Sequence, residues 1–592
     1  MASVAAKESI TGTIVTYIGV GIGFLTTFFI LAKFLTPEEI GLTRLLPELA
    51  TQLSGLGMLG MTYSLSRYFP FFRDSETNPY RAEDGPNHGF FYYVTVVGAI
   101  GAVLMTLLYI LAKGPLMSLY SDRSPLLADF YYAVIPLTLF TMGWTIFELY
   151  TYQLMRVAVP KGIKEVLLRV LQLAAYLLYA FGYIDFTTMV WGFIGSFGVC
   201  MLASGVYLGQ ITSLSLRHNP SYVSPEMRRG FYRYTALYTL SSVGITLAGR
   251  MDLFMVAFID RGGLSSAGVY TMAFYMVSII EIPMRAILNV AAPKIAEAAK
   301  HGDTKRVEEV YRLVAFYQLL SGLLIFAMIW VNIDNIFGIM PNGEQFTGGK
   351  WIFFYLGLAK LVELTLTCSH TVVSTSRYYK WNIYYTISVL VMSFVSTVFL
   401  IPAYGTLGAA LAMLLTNIVS YGLQQLLLSV KMHVSPFTSR MLLLIPIAAV
   451  AWGIDALLPT FSSVWIDLFV RSALVGLGLL LALLALRITP ELMSMLEGKL
   501  PKRTIHCDTK VDNVLFDKSG AVLCVVDWDT VMPGFILSDV GDFIRTGVNF
   551  APEDEADISK IGVNMEIYKA FVEGYLSTAG KFLTPTERSL IA

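Results

Sequence analysis

About fourteen long apolar runs restrict the fold of this chain more than any other feature of the sequence. A helix that crosses ~30 Å of hydrocarbon needs about 20 largely apolar residues. The runs cover residues 11–35, 42–68, 89–112, 128–154, 162–183, 186–210, 232–259, 265–292, 311–333, 350–375, 382–402, 405–429, 440–458 and 464–486. They predict an all-α polytopic membrane protein with about fourteen transmembrane helices. Only 14% of the 592 residues are charged, against about 25% in soluble proteins, which excludes an ordinary soluble enzyme.

Lysine and arginine are concentrated in alternate loops, and this bias predicts the orientation of the chain. If the N-terminus with Lys7 lies in the cytoplasm, the cytoplasmic loops receive most of these basic residues, such as Arg156 and Lys161. An even number of spans then returns the C-terminus to the same side. We therefore expect a multi-pass protein of the cytoplasmic (inner) membrane with both termini inside. The first run is too long for a cleavable signal peptide and lacks its small-residue cleavage site.

The predicted external loops are short, for example Pro402 to Gly405 and Pro459 to Ser463. None could hold a large external catalytic domain, which disfavours a membrane polymerase or glycosyltransferase of that kind. A transporter or flippase needs no such loop. The equal numbers of basic and acidic residues, 42 of each, argue against nucleic acid as a partner.

Several predicted spans carry ionisable side chains, which are costly at membrane depth and usually face a wet cavity or a partner. They fall mostly in pairs close in sequence: Arg44 and Glu48, Arg250 and Asp252, Glu281 and Arg285, and Lys360 and Glu363. One interpretation is a central substrate-binding cavity whose arginines bind an anionic headgroup, since the planar guanidinium suits phosphate. The alternative is local pairing that only makes each span easier to insert. Arg169 and His370 are further candidates.

Particular segments of the first 490 residues resemble the oligosaccharide flippases of the multidrug/oligosaccharidyl-lipid/polysaccharide (MOP) exporter superfamily. The segments are Thr11 to Arg73, Gly249 to Leu253 with Gly268 to Tyr270, Ala292 to Lys294 and Ile401 to Ala410. The resemblance implies two pseudo-symmetric helix bundles around a central cavity that opens alternately to each side. It also implies a polyprenyl-diphosphate-linked oligosaccharide as cargo, possible links to polysaccharide polymerases or glycosyltransferases, and no cofactor beyond an Na⁺ or H⁺ gradient. The alternative within the superfamily is an ion-coupled drug or metabolite exporter.

A weak internal sequence repeat agrees with a membrane domain built from two similar halves. Gly41 lies at the entry of the second run and Gly268 at the entry of the eighth, 227 residues later. Repeated six-helix halves would produce this offset, although chance could produce it as well.

The last hundred residues are of a different kind. Residues 491–592 carry 10 Lys and Arg against 16 Asp and Glu, a composition typical of a soluble domain. We expect a membrane domain over residues 1–488, an amphipathic helix and linker over 489–503, and a separate domain over 504–592. The run from His506 to Asn513 has the Asp-to-Asn spacing of a kinase catalytic loop. Asp508 would accept the substrate proton, and Asn513 and Asp527 would bind metal.

The run from Asp527 to Gly534 and that from Ser538 to Arg545 resemble the aminoglycoside phosphotransferase/choline kinase superfamily, with closest likeness to N-acetylhexosamine 1-kinases. The resemblance implies a small α+β C-lobe that uses Mg-ATP when the kinase is complete. No glycine-rich loop or strand lysine of the small lobe is recognisable, so we expect the tail to be catalytically inactive alone. Three interpretations remain: a degenerate remnant or artefactual join of two reading frames, a pseudokinase-like appendage, or one part of a kinase completed by a partner chain.

Overall fold

The computed structural model divides the chain into two compact units, one from Thr11 to Leu479 and a C-terminal unit that begins at Leu480. Residues 15–486 are described apart from 17, 73–88, 121–123, 155, 213, 215, 217–223, 249, 301 and 379, and residues 501–591 apart from 502, 510–512, 518–521, 528–530 and 549–563. The side chains of a few further residues inside helices and strands, Arg285 among them, are also outside the description.

The described residues of the first half of the membrane unit form helices joined by short turns and loops. Its helices are α1 (Ile18–Phe34), α2 (Pro37–Gly57), α3 (Met61–Phe72), α4 (Phe90–Leu111), α5 (Lys113–Tyr120), α6 (Pro125–Asp129), α7 (Val134–Gln153), α8 (Ala158–Gly162), α9 (Leu168–Ala180) and α10 (Phe186–Ile211). A π-helical stretch, Thr26–Leu31, lies within α1, and another, Ile163–Leu167, joins α8 to α9.

The second half is built in the same way. Its helices are α11 (Pro225–Ala248), α12 (Met251–Ile259), α13 (Gly263–Ser278), α14 (Ile282–Lys300), α15 (Thr304–Val331), α16 (Ile333–Ile339), α17 (Gly349–Leu366), α18 (Cys368–Ser374), α19 (Trp381–Tyr404), α20 (Thr406–Met432), α21 (Leu444–Leu457) and α22 (Val464–Ala485). A short 3₁₀ turn, Ile279–Glu281, connects α13 to α14.

Ten described helices are long and apolar enough to span a membrane, against the predicted fourteen runs. They are α4, α7, α10, α13 with the start of α14, α15, α17 with α18, α19, α20, α21 and α22. The other four runs also form helices, but these are shorter, interrupted or more charged. For example, α2 carries Glu38, Glu39, Arg44 and Glu48, and the seventh run is divided between α11 and α12. The all-α polytopic architecture is confirmed, and the number fourteen is not fully established.

The two halves meet where α2 packs along α13. Gly41 and Gly268, the two glycines of the internal repeat, lie at this crossing. A Cβ on Gly41 would overlap the carbonyl oxygen of Leu264, and one on Gly268 would overlap that of Pro37. Gly41 therefore contacts the carbonyl of the residue four positions before Gly268, and Gly268 contacts the carbonyl of the residue four positions before Gly41. A pseudo-twofold axis between the halves would produce such a reciprocal contact. Only a residue without a side chain allows the two helix backbones to approach so closely.

Around this crossing, each half packs as its own bundle. In the first half α2 packs on α4 and α7, and α7 packs on α10; in the second half α17 packs on α13, α15 and α20. One continuous apolar core includes Ile40 and Leu45 of α2 together with Leu264 and Tyr270 of α13, all of them buried. The predicted arrangement of two pseudo-symmetric bundles is thus confirmed.

The C-terminal unit is small and mixes helices with short strands. Its described elements are β1 (Arg503–Ile505), β2 (Val514–Phe516), β3 (Val522–Val525), β4 (Met532–Gly534), α23 (Ile536–Gly547), α24 (Met565–Ala579) and α25 (Pro585–Ile591). Strand β1 pairs antiparallel with β4, and β2 pairs antiparallel with β3. The predicted α+β character is present.

Candidate functional site

Helix α2 brings Arg44 and Glu48 to the interface between the halves. The helix begins with a capping box in which the Thr36 backbone N donates to Glu39 Oε2 at 2.8 Å and the Glu39 backbone N donates to Thr36 Oγ1 at 3.3 Å. Such a start satisfies helix donors that would otherwise be unpaired. Arg44 and Glu48 then lie one turn apart on one face, beside Pro47.

Arg250 reaches the same place through a break in the helix. Helix α11 ends at Ala248 and α12 begins at Met251, with Arg250 at the N-cap of α12. Its Nε lies 3.3 Å from Glu48 Oε1, so the ion pair joins α2 of the first half to α12 of the second. A discontinuous helix in a transporter commonly marks a binding site, because its free N-terminus attracts anions.

These side chains line a cavity of about 190 Å³ between α2, α12 and α13. The residues that line it are Arg44, Pro47, Glu48, Arg250, Thr271, Phe274, Tyr275 and Ser278. The Arg250 guanidinium lies 4.1 Å from the Phe274 ring centre, and that of Arg44 lies 4.7 Å from the Tyr275 ring centre. The two aromatic rings support the two guanidinium groups by cation–π contact.

The guanidinium of Arg44 is only partly engaged. Its Nη2 donates to Thr27 Oγ1 at 3.0 Å, while its Nε is buried and has no hydrogen-bond partner among the described residues. The Nε of Arg250 faces Glu48 as an ion pair but makes no well-directed hydrogen bond. Because buried donors are normally satisfied, this cavity suits a ligand that accepts hydrogen bonds.

The other predicted cavity residues lie elsewhere. Asp252 accepts a hydrogen bond from the Tyr270 hydroxyl at 2.5 Å and does not line the cavity. Lys360 donates to Glu281 at 2.8 Å and to Glu363 at 2.9 Å, which makes a separate group within the second half that we call the lysine cluster. The Arg285 side chain is outside the described residues.

The structure also shows the positions of Arg169 and His370, the two further candidates from the sequence. Arg169 in α9 donates to Glu165 at 3.0 Å. His370 lies at an exposed position in α18, with its ring edge-on to Tyr385 at 6.1 Å. Neither lines the cavity.

A third buried charge group was missed from the sequence. Arg471 donates to both carboxylate oxygens of Asp467, at 3.0 and 3.1 Å, and also hydrogen-bonds to the Asp455 side chain. Asn335 of α16 donates to Asp467 as well. The group therefore fastens the hairpin of α21 and α22 to the second bundle. The spacing of Asp467 and Arg471 inside the last run is the same signal that identified the other pairs.

Two of the predicted kinase-like residues of the C-terminal unit, Asp508 and Asn513, line a cavity of about 570 Å³, and Asp527 does not line it. Asn513 Nδ2 donates to the Asp508 carboxylate at 3.0 Å, and the Asn513 carbonyl accepts from the Val526 backbone N at 2.8 Å. Asp527 follows β3 in a left-handed conformation, with φ +66°. Asp539 fixes the catalytic-type loop by accepting from the backbone N of His506 and of Cys507, both at 2.8 Å.

The membrane unit is similar in fold to a solved flippase structure. The structure "Lipid II flippase MurJ, inward closed conformation" superposes with a TM-score of 0.63 at 13% identity, covering 82% of this chain and 100% of that one. An inward-facing multidrug resistance MATE family transporter of the MOP superfamily gives 0.48 at 16% identity, covering 72% and 97%. A MOP superfamily transporter from Pyrococcus furiosus gives 0.42 at 14%, covering 72% and 92%.

The family comparison concerns the other end of the chain. Residues 462–579 match the family model described as "Phosphotransferase enzyme family" (APH). The match begins 42 residues before the domain start expected at residue 504 and includes all of α22. The chain therefore joins a multi-pass membrane unit, similar in fold to a solved lipid II flippase, to a C-terminal segment similar to the phosphotransferase enzyme family.

Proposed function

We propose that the membrane unit moves a polyprenyl-diphosphate-linked oligosaccharide across the cytoplasmic membrane by alternating access, for surface polysaccharide synthesis. The observation that carries this proposal is the pair of arginines, Arg44 and Arg250, in one cavity between the two bundles. Guanidinium groups bind phosphate oxygens through two parallel hydrogen bonds. A diphosphate could therefore accept from both arginines at once.

The size of the cavity fits the headgroup and not the whole cargo. Its volume of about 190 Å³ is below the roughly 300–1,000 Å³ of pockets that enclose a drug-sized ligand. The diphosphate is the constant part of such a cargo, whereas the glycan varies. We infer that the glycan is accommodated in a more open conformation while the arginines hold the diphosphate.

The ion pair between Glu48 and Arg250 offers a way to link binding to movement. It joins the two halves, and both side chains are partly exposed, at 30% and 20%. A phosphate that binds Arg250 would replace the Glu48 carboxylate and remove this connection between the bundles. Ligand binding would then favour a state in which the halves are free to rotate, as a population shift requires.

Transport by an Arg250→Ala variant tests the proposal. The full-length chain is reconstituted in vesicles, and translocation of a fluorescent polyprenyl-diphosphate disaccharide is measured by quenching from outside. Loss of a hydrogen bond to a charged group costs about 1.5–3 kcal/mol, so we expect a roughly 10- to 100-fold slower rate. Arg312→Ala is the matched control, because Arg312 pairs with Glu308 away from the cavity. Equal rates in the two variants would reject the proposal.

The same assay separates the cargo classes. An exporter of cationic drugs would depend on Glu48 and would tolerate loss of Arg250. Transport of the diphosphate probe should instead depend on Arg250, and an imposed Na⁺ or H⁺ gradient would show whether either ion drives it.

For the C-terminal unit we propose no independent phosphotransfer. Asp508, Asn513 and Asp527 offer oxygen ligands of the kind that Mg²⁺ prefers. However, the apolar strand β3 is exposed, with Leu523 at 65%, as expected for part of a larger core. Equilibrium dialysis measures whether the purified chain binds Mg-ATP, and such binding would contradict this proposal.

A further inference from the structure

Arg169 lies inside the fifth predicted span, residues 162–183, and outside the cavity. It is eleven residues from each end of the helical segment from Ala158 to Ala180, or about 16 Å from each at ~1.5 Å per residue. Its side chain is 31% exposed. An arginine at this depth faces the bundle interior or a water-filled space.

The first helix places Arg169 next to Arg44. Gly23 and Thr27 lie one turn apart on the same face of α1. A Cβ on Gly23 would overlap Nη1 of Arg169, while Thr27 Oγ1 accepts from Arg44 at 3.0 Å. The two guanidinium groups thus contact successive turns of one helix face, about 6 Å apart along the helix axis.

Two π-helical stretches lie close to these contacts. Thr27 belongs to the π-helical stretch Thr26–Leu31, and Arg169 follows the stretch Ile163–Leu167 closely. Such single-turn insertions are rare and occur frequently at functional sites, because the extra residue changes the direction of the side chains.

The partner of Arg169 is readily replaced. Glu165 lies one turn away on the same helix at 3.0 Å, and its side chain is 23% exposed. Partly exposed pairs of this kind contribute little, so a phosphate can take the place of the carboxylate. The neighbouring cation, Lys164, is already directed to Glu148, at 3.4 Å.

We propose that Arg169 is a second phosphate subsite, one helical turn on the predicted cytoplasmic side of Arg44, where the diphosphate headgroup binds before it enters the cavity. This inference rests on the proposed function. Gly23 is part of the subsite, because a side chain at this position would displace the guanidinium from its place against α1. Movement of the headgroup from Arg169 to Arg44 then requires a step of a single turn.

The test compares half-saturation with maximal rate in the vesicle assay. Arg169→Ala should raise the half-saturating mole fraction of the labelled lipid about fivefold, the scale of one partly exposed contact, with the maximal rate unchanged. Gly23→Ala should have the same effect, because it displaces Arg169 without changing charge. Gly21→Ala is the matched control, since a Cβ there meets open space.

Three results would overturn the subsite: an unchanged half-saturation in Arg169→Ala, a loss confined to the maximal rate, or equal defects in Gly21→Ala and Gly23→Ala. Inorganic pyrophosphate distinguishes the headgroup from the lipid chain. It should compete in the parent protein and compete less in Arg169→Ala, and equal competition would also overturn the subsite. Failure of the proposed function has a different signature, which is normal transport in Arg250→Ala.

Discussion

The cavity and the lysine cluster contain the same kinds of residue at similar sequence spacing, yet their surroundings differ. In the cavity, the ion pair between Glu48 and Arg250 is 3.3 Å long, partly exposed, and joins two halves. In the lysine cluster, Lys360 is 6% exposed and is held by two carboxylates within one half, at 2.8 and 2.9 Å. The first arrangement can exchange a partner for a ligand, whereas the second stabilises a bundle.

Loss of Lys360 should produce the largest effect. Lys360→Met leaves Glu281 and Glu363 close together without their shared cation, and breaking a buried pair costs about 3–5 kcal/mol. We expect a clear fall in the apparent melting temperature of the purified chain. Lys305→Met, at an exposed position, is the control. If Lys360→Met melted like the parent protein, the lysine cluster would not be the structural element of the comparison.

Glu48→Gln should have an effect of intermediate size, and the effect should be on ligand binding more than on stability. It removes the charge that competes for Arg250, so binding of a polyprenyl diphosphate should strengthen about fivefold, while stability changes by less than about 1 kcal/mol. Calorimetric titration of the purified chain measures the first and thermal melting the second. Glu344→Gln, at an exposed position, serves as the control. Weaker binding, or destabilisation as large as that of Lys360→Met, would remove the distinction between the two regions.

An ion pair outside the membrane should give the smallest effect. Arg503 donates two hydrogen bonds to Glu587, both at 2.9 Å, and this contact lowers the pKa of Glu587 from its ordinary value of 4.5. The stabilisation is therefore present above the ordinary pKa and is lost as the pH falls through the lowered one.

The measurement for this pair is amide hydrogen exchange in α25. At neutral pH, Glu587→Gln should accelerate exchange there by less than about tenfold, or roughly 1 kcal/mol. The difference between variant and parent should disappear once the pH is below the lowered pKa of Glu587. A difference that persists at such pH would show that the charge of Glu587 does not matter.

The spans and the local pair Lys360–Glu363 could be predicted from the sequence, because apolar length and helical spacing are local properties. The partner of Glu48 could not. Spacing within the run suggested Arg44, but Arg250 is supplied by a helix break about 200 residues later. The break itself gives no proline signal. In the same way, Glu281 meets Lys360 only because α13 packs on α17.

Asp467 and Arg471 show a different kind of failure. Their i,i+4 spacing within an apolar run is as clear as that of Arg44 and Glu48, but they are near the start of the run and resemble interfacial residues. The structure buries both, at 5% and 6% exposure, because α16 covers them through Asn335. The covering element, and not the sequence near the pair, decides that these charges are interior.

The reciprocal contact of Gly41 and Gly268 has a consequence for the origin of the chain. Each half presents the same glycine-centred surface to the other, which is the property of an isologous interface between identical subunits. A single six-helix half with this surface could have formed a homodimer before duplication and fusion. After fusion, the two halves would have been able to diverge in sequence while the backbone geometry of their interface stayed fixed. The cavity at this interface would then have acquired different residues on its two sides, Glu48 on one and Arg250 on the other.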